Sequence, residues 1–182
     1  MSSEEFWSAI ASLNHLQSLS VNWQQQLALQ RYLVRRTLDG RLGGSLLPPR
    51  SIESLKLKGR LVKFTQWIHH LQNLSKLQLL QSKLQQDAVQ DVGKLPNLAV
   101  LRTGWNAFKG EELVFKQGSF PCLILLELFC DFPYVKFEDG TTPKLELLRI
   151  AGLEQFQELS GVRYLTKLKE IRLDLRLNEK KF

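Results

Sequence analysis

Cysteine is scarce in this chain, with two in 182 residues, Cys122 and Cys130. Two cysteines do not build a disulfide framework, and neither has a histidine near it in sequence to make a reactive pair or a zinc site. Both read as small packing residues, and a reducing compartment is the economical expectation. Basic residues are missing from the first ten positions, which carry Glu4 and Glu5 instead, so no secretory leader is read there. The sequon Asn73-Leu74-Ser75 is then a chance match. Long apolar runs are missing too. The most apolar stretch, Phe120 to Cys130, holds Glu127 and is too short to span a bilayer. A cytoplasmic location is the expectation.

The chemistry of a catalyst is equally thin. No Gly-x-x-x-x-Gly-Lys-Ser/Thr phosphate loop occurs, and Gly43-Gly44 lacks the strand-to-helix setting of one. Neither nucleotide binding nor nucleotide hydrolysis is expected. His69 and His70 are adjacent, so they do not easily face one site, and no cysteine or carboxylate pattern supports them as metal ligands. Glu111-Glu112 and Asp87 with Asp91 read as solvated acidic clusters or capping turns. No enzyme, cofactor or metal site is expected.

What is present is ordinary for one globular domain: 43% hydrophobic and 24% charged residues. The net charge of +7 fits an acidic partner, a nucleic acid, an anionic membrane surface or simply a solvated face. Zinc-finger, helix-turn-helix and aromatic-basic RNA signatures are all missing, which leaves charge as the single argument for nucleic acid. No nucleic-acid partner is expected.

The informative feature is a repeat. The phrase Leu-x-x-Leu-x-x-Leu-x-apolar recurs as Leu71-x-x-Leu74-x-x-Leu77-x-Leu79, Phe120-x-x-Leu123-x-x-Leu126-x-Leu128 and Leu165-x-x-Leu168-x-x-Ile171-x-Leu173, with further copies between and before them. Its first strand position falls at Leu19, Leu55, Leu77, Leu101, Leu126, Leu148 and Ile171, at intervals of 36, 22, 24, 25, 22 and 23 residues. Leucine-rich repeats have a period of about 20–29 residues. Leu-x-Leu is the period-2 mark of a strand with one buried face, and twenty-odd residues suffice for a crossover to the next parallel strand. Each coil buries its leucines only against its neighbours, so the coils must stack. The expected fold is an α/β leucine-rich-repeat solenoid, a right-handed coil with parallel strands on its concave face and short helices, turns and loops on its convex face.

Residues 1–182 are read as one domain of about seven irregular repeats. Strands are expected near 18–21, 54–58, 76–79, 100–103, 125–129, 147–150 and 169–175, in one continuous sheet. Ser2-x-x-Glu5 resembles a capping box, and Phe6, Ile10 and Leu13 follow at helical spacing, so residues 1–13 are expected to form a capping helix. The long first interval is read as an irregular repeat, 22–49, with an inserted loop carrying Gly43-Gly44 and Pro48-Pro49. The end, Ile171-Arg-Leu-Asp-Leu-Arg-Leu177, alternates as a last strand whose charges guard an edge, and 178–182 reads as a disordered tail.

Residues between the strand leucines point out of the concave face. One column reads Ser20, Lys56, Gln78, Arg102, Glu127, Arg149 and Arg172, four of the seven basic. The next reads Asn22, Lys58, Leu80, Gly104, Phe129, Ala151 and Asp174, with Trp105 one residue further along. A third, Ser18, Ser54, Lys76, Val100, Leu125, Leu147 and Glu170, is apolar at its centre, a docking patch if exposed. Arginine and aromatic side chains on an exposed ladder are the usual anchors of a protein interface. The candidate partner-binding set is Lys56, Lys58, Lys76, Gln78, Arg102, Trp105, Glu127, Phe129, Arg149, Arg172 and Asp174. For Trp105 and Phe129 a second placement, turned back into the core, fits the pattern equally well. Arg149 and Arg172 fall on adjacent strands and are expected to repel, with partial relief from Glu127 and Asp174.

The phrases Leu95-Pro-Asn-Leu-Ala-Val-Leu-Arg, Phe108-Lys-Gly-Glu-Glu-Leu113, Phe120-Pro-Cys-Leu-Ile-Leu-Leu-Glu-Leu128, Pro143-Lys-Leu-Glu-Leu-Leu-Arg-Ile150 and Leu168-Lys-Glu-Ile-Arg-Leu173, with Trp67-Ile68, resemble the C-terminal repeats of plant coiled-coil NLR disease-resistance proteins, those of grasses especially. The resemblance covers roughly Phe6 to Leu175. It implies the recognition and autoinhibitory region of an intracellular immune receptor. The implied partner is a pathogen effector, a guarded host protein or the receptor's own nucleotide-binding domain. Two departures stand out. The family's coiled coil and nucleotide-binding domain are not in this chain, and of the positions where repeats carry an asparagine after the strand only Asn106 fits, which points to an irregular solenoid. The competing function is a general adaptor that scaffolds a signalling complex outside immunity.

Overall fold

The computed structural model describes residues 3–22, 47–61, 66–129, 133–152 and 156–174. Ser2 of the expected capping box, residues 23–46 of the expected inserted loop and the tail 178–182 lie outside the described residues. The chain runs through helix α1 (Ser3–Ala11), β1 (Ser18–Asn22), β2 (Ser54–Lys58), a 3-10 turn at Gln66–His70, β3 (Lys76–Leu80) and helix α2 (Gln86–Gly93). It continues through β4 (Val100–Thr103), β5 (Glu112–Phe115), β6 (Leu125–Phe129), β7 (Tyr134–Phe137), β8 (Leu147–Ala151), β9 (Glu158–Ser160), a 3-10 turn at Val162–Tyr164 and β10 (Glu170–Asp174).

Seven strands form one parallel sheet in the order β1-β2-β3-β4-β6-β8-β10. The pairing is in phase: Leu19, Leu55, Leu77, Leu101, Leu126, Leu148 and Ile171 are successive partners across the sheet. That register follows from the pattern, because a slip of one residue would turn every strand leucine out of the core. Leu55, Leu57, Leu77, Leu79, Leu101, Leu126, Leu128, Leu148 and Ile150 are 0–1% exposed. Each contributes roughly 1.5–3 kcal/mol by burial, and the earlier leucines of each phrase, such as Leu71, Leu74, Leu95 and Leu98, fill the same core. Thr103 replaces the second strand leucine in β4. Its hydroxyl accepts from the Phe129 N–H at 3.2 Å and donates to the Glu127 carbonyl at 3.4 Å, so the polar group is satisfied where it is buried.

The asparagines that do bridge coils sit elsewhere in the repeat. Asn73 Nδ2 donates to the Arg50 carbonyl at 3.1 Å and Asn97 Nδ2 to the Gln72 carbonyl at 2.8 Å, each reaching one coil back. They occupy the Asn-Leu step ahead of the strand in Leu71-Gln-Asn-Leu74 and Leu95-Pro-Asn-Leu98.

The side opposite the main sheet carries more than the short helices, turns and loops expected there. Strands β5, β7 and β9 form a second parallel sheet in that order. Glu112, read from sequence as part of a solvated acidic turn, opens β5. The reason is local alternation: Glu112-Leu-Val-Phe115 and Tyr134-Val-Lys-Phe137 bury Leu113, Phe115, Val135 and Phe137 and turn the intervening residues outward. Phe115 stacks on Phe137 at 4.8 Å between centroids and meets Phe120 at 5.4 Å, which ties this sheet to the phrase leading into β6. Gly161 follows β9 with φ +77°, and a Cβ there would lie 1.8 Å from the Phe137 carbonyl oxygen, so side chains are excluded at that turn.

Helix α2 sits beside the edge of this second sheet and finishes it. The Gln86 side-chain amide does what a neighbouring strand would do: Nε2 donates to the Val114 carbonyl at 2.8 Å and Oε1 accepts from the Val114 N–H at 3.3 Å. Gln90 Nε2 adds a bond to the same carbonyl at 3.1 Å. An edge strand is thereby closed by side chains. Gln86→Ala should cost about 1–2 kcal/mol, since it leaves the Val114 N–H without a partner. Chemical denaturation is the measurement, and an unchanged midpoint would show that water serves this edge as well.

A concave-face ladder of ion pairs, aromatics and lysines

The residues named from sequence as one outward column are partners in space. Ser20, Lys56, Gln78, Arg102, Glu127, Arg149 and Arg172 follow one another across the seven strands. Neighbouring strands lie about 4.8 Å apart, so side chains of adjacent rungs are within reach. The rigid sheet fixes these positions, and the charges then arrange themselves.

In the C-terminal half the expected repulsion is relieved by bridging. Arg102 Nε donates to Glu127 Oε2 at 3.1 Å, and Arg149 Nη1 donates to Glu127 Oε1 at 2.9 Å. Arg149 Nε donates to Asp174 Oδ2 at 2.8 Å, and its Nη2 lies 2.8 Å from the same oxygen. Arg172 Nε donates to Glu170 Oε1 on its own strand. The result is a chain of alternating charge, Arg102–Glu127–Arg149–Asp174. The hydrogen bond and charge of Asp174, then the charge of Glu127, push the Arg149 guanidinium above its ordinary pKa, against desolvation and the charge of Arg172. Relief comes from Glu127 within the column and from the flanking columns, where Glu170 lies two residues before Arg172 and Asp174 two after it. These pairs are well exposed, so their main effect is to set side-chain geometry.

The aromatics face outward rather than into the core. Trp105 is 55% exposed and packs against half-buried Phe129, with ring centroids 5.6 Å apart and planes at 48°. Phe129 lies over Gly152, where φ is +81° and a Cβ would meet the ring at 2.6 Å. Beside the ring is a cleft of ≈ 380 Å³, lined by Thr103, Glu127, Phe129, Arg149, Gly152 and Asp174 among others. Val100, Leu125 and Leu147 align on successive rungs and are each half-buried, so the apolar patch read from sequence is partly open.

The N-terminal half differs. Lys56 and Lys76 are exposed, Lys58 and Gln78 half-buried, and none of the three lysines forms an ion pair among the described residues. The candidate set thus divides into a charge-compensated aromatic half and a lysine half without ion pairs among the described residues. Sequence reading named Glu127 and Asp174 as relief for the arginines but counted the column as net positive throughout and did not separate its two halves. Elsewhere, His69 approaches Asp91 at 3.9 Å, and Asp91 binds Lys94 at 2.9 Å. Cys122 accepts from Lys144 Nζ at 3.4 Å. Among the described residues no group of three or more His, Cys, Asp or Glu is placed to hold a metal ion. No helix among them is long and apolar enough to cross a membrane.

The stacked coils, the in-phase parallel register and the repeat phrase agree with a family model described as a leucine-rich repeat region, which matches residues 1–181. The chain belongs to the leucine-rich repeat family. Its relatives are plant disease resistance proteins at modest identity. It is 36% identical over 133 residues to disease resistance protein RPM1 of Arabidopsis thaliana, covering 70% of this chain and 14% of that protein. It is 25% identical over 174 residues to disease resistance protein RPP8 of the same plant, covering 94% of this chain and 18% of that protein. Disease resistance protein Pik-2 of Oryza sativa subsp. japonica is 26% identical over 153 residues, covering 72% of this chain and 15% of that protein. The chain therefore spans less than a fifth of the length of these relatives. No solved structure matches it.

Proposed function

We propose that this leucine-rich repeat chain is a non-catalytic recognition surface of a plant immune receptor, acting in the cytoplasm, whose concave face binds another protein. The observation that supports this most is the in-register ladder on a rigid sheet, with Trp105 exposed beside Phe129 and with Lys56, Lys58 and Lys76 forming no ion pair among the described residues. Aromatics held at low entropic cost anchor an interface, and uncompensated lysines select an acidic surface. The relatives named as disease resistance proteins supply the biological setting. The partner is then a pathogen effector, a guarded host protein or the nucleotide-binding domain of a larger receptor.

Charge reversal in the lysine half is the test. Lys56→Glu with Lys76→Glu should lower affinity for an acidic partner about tenfold or more, and the loss should shrink as salt rises. The fold should persist, since both side chains are exposed. Trp105→Ala should lower affinity independently of salt. The pull-down runs candidate effectors and the upstream receptor domains in parallel, with circular dichroism as the fold control. Binding that survives both changes would place the interface on the loops instead.

A further inference from the structure

Val100, Leu125 and Leu147 are register partners on β4, β6 and β8, and each is half-buried on the outward side of the sheet. Ala99 and Ile124, one residue earlier on two of these rungs, widen the row, and Ile124 is 45% exposed. Polar and charged groups frame it. Lys76, the partner of Val100 on β3, is exposed and forms no ion pair among the described residues. Glu170, the partner of Leu147 on β10, is bound by Arg172. The bridged chain Arg102–Glu127–Arg149 runs alongside, two residues further along the same strands. The two ends of the row therefore differ: positive charge open to a partner at Lys76, paired charge at Glu170.

The sheet limits what can cover this row. β4, β6 and β8 each have a hydrogen-bonded neighbour on both sides, so no occupant can add to them as a strand. An extended peptide on the face would leave its own N–H and C=O groups without partners, whereas a helix satisfies its own. Spacing points the same way. Two steps between strands span about 9.6 Å. Helix residues i, i+4 and i+7 share one face and span about 10.5 Å along the axis. Same-face residues of an extended chain lie about 6.7 Å apart, which falls out of phase at the second rung.

We propose that the row Val100–Leu125–Leu147 seats one amphipathic α-helix of a partner protein, laid across the strands. Its apolar residue i rests on Leu147, i+4 on Leu125 and i+7 on Val100, and an acidic side chain at i+11 meets Lys76. Charge fixes that direction, because a helix C-terminus carries partial negative charge and the open positive charge is at the Lys76 end. The proposal rests on the concave-face reading above and specifies what that face holds.

The probe is a short fluorescent peptide, locked helical by lactam bridges on its outer face, with leucine at i, i+4 and i+7 and glutamate at i+11. Fluorescence anisotropy against the full chain reads its binding. It should bind at least about tenfold more tightly than a helical peptide of the same composition with its leucines scattered, or a linear copy broken by a central proline. Leu125→Glu should raise its dissociation constant about tenfold or more, and Ile124→Glu, at a more exposed site, about threefold or more. Lys76→Glu should weaken it about threefold, and a peptide with lysine at i+11 should recover that loss against Lys76→Glu alone. Circular dichroism confirms that each variant is folded, and Ile124→Glu carries the test if Leu125→Glu is not. Absence of binding, equal binding of the three peptides, or indifference to the Leu125 and Ile124 changes would each overturn the proposal. The pull-down separates the two readings. A partner lost by the Lys56, Lys76 and Trp105 variants but held by Leu125→Glu overturns the helix and leaves the concave face standing. A partner indifferent to all of them overturns both.

Discussion

Leu126→Asp should unfold the central coils outright. Leu126 is 0% exposed, lies between Leu101 and Leu148 in the sheet, and has no charged or polar partner in the apolar row that it faces. The substitution removes a buried leucine, worth roughly 1.5–3 kcal/mol, and buries a carboxyl with nothing to bind it, which costs several kcal/mol more. A natural domain holds only about 5–15 kcal/mol in total, so one change of this kind consumes much of it. A solenoid also spreads the damage, because each coil is stable only against its neighbours. The expected result is loss of the cooperative thermal transition followed by far-ultraviolet circular dichroism. A melt matching that of the parent would mean that Leu126 is not in the core, and the repeat assignment would fall with it.

Phe115→Ala should be nearly as damaging, and it tests the part of the fold that the repeat phrase does not describe. Phe115 is 1% exposed, stacks on Phe137 and touches Phe120, so it belongs to the second sheet and to the approach of β6 at once. Truncating a buried phenylalanine typically costs about 3–5 kcal/mol, from lost contacts and from the cavity left behind. Urea denaturation should show a lowered midpoint with one transition, as expected if both sheets share a core. A loss below about 1 kcal/mol, or a separate early transition, would show that β5, β7 and β9 are an independent layer.

The contrast between Leu126 and Phe115 marks how far the sequence is legible. Leu126 stands in a phrase repeated seven times, and repetition separates signal from chance. Phe115 stands in a four-residue alternation, Glu112-Leu-Val-Phe115, which a turn or a crossover carries equally well. Its strand identity depends on Val135 and Phe137 arriving alongside, and on Gln86 closing the free edge, none of which a local pattern encodes. The candidate site divides in the same way. Its columns were readable, because period-2 alternation and in-phase pairing decide which residues share a face. Its electrostatics were readable in part: Glu127 and Asp174 were named as relief for the arginines, but that both would converge on Arg149, and that Arg172 would turn to Glu170, depends on side-chain reach in the packed geometry.

By itself the sequence determined the solenoid, its seven-stranded parallel sheet, the register and the outward columns, since irregular spacing between phrases leaves the Leu-x-Leu phase of each strand intact, and a one-residue slip would expose the buried leucines. The tertiary structure alone decided the rest: a second sheet opposite the first, Trp105 turned outward against Phe129 over Gly152, and Arg149 bridged to two carboxylates at once while Lys56, Lys58 and Lys76 form no ion pair among the described residues. Each of these is set by contacts between different coils, with partners about twenty residues or more apart in sequence, where the identity of one residue says nothing until the fold has placed the other beside it.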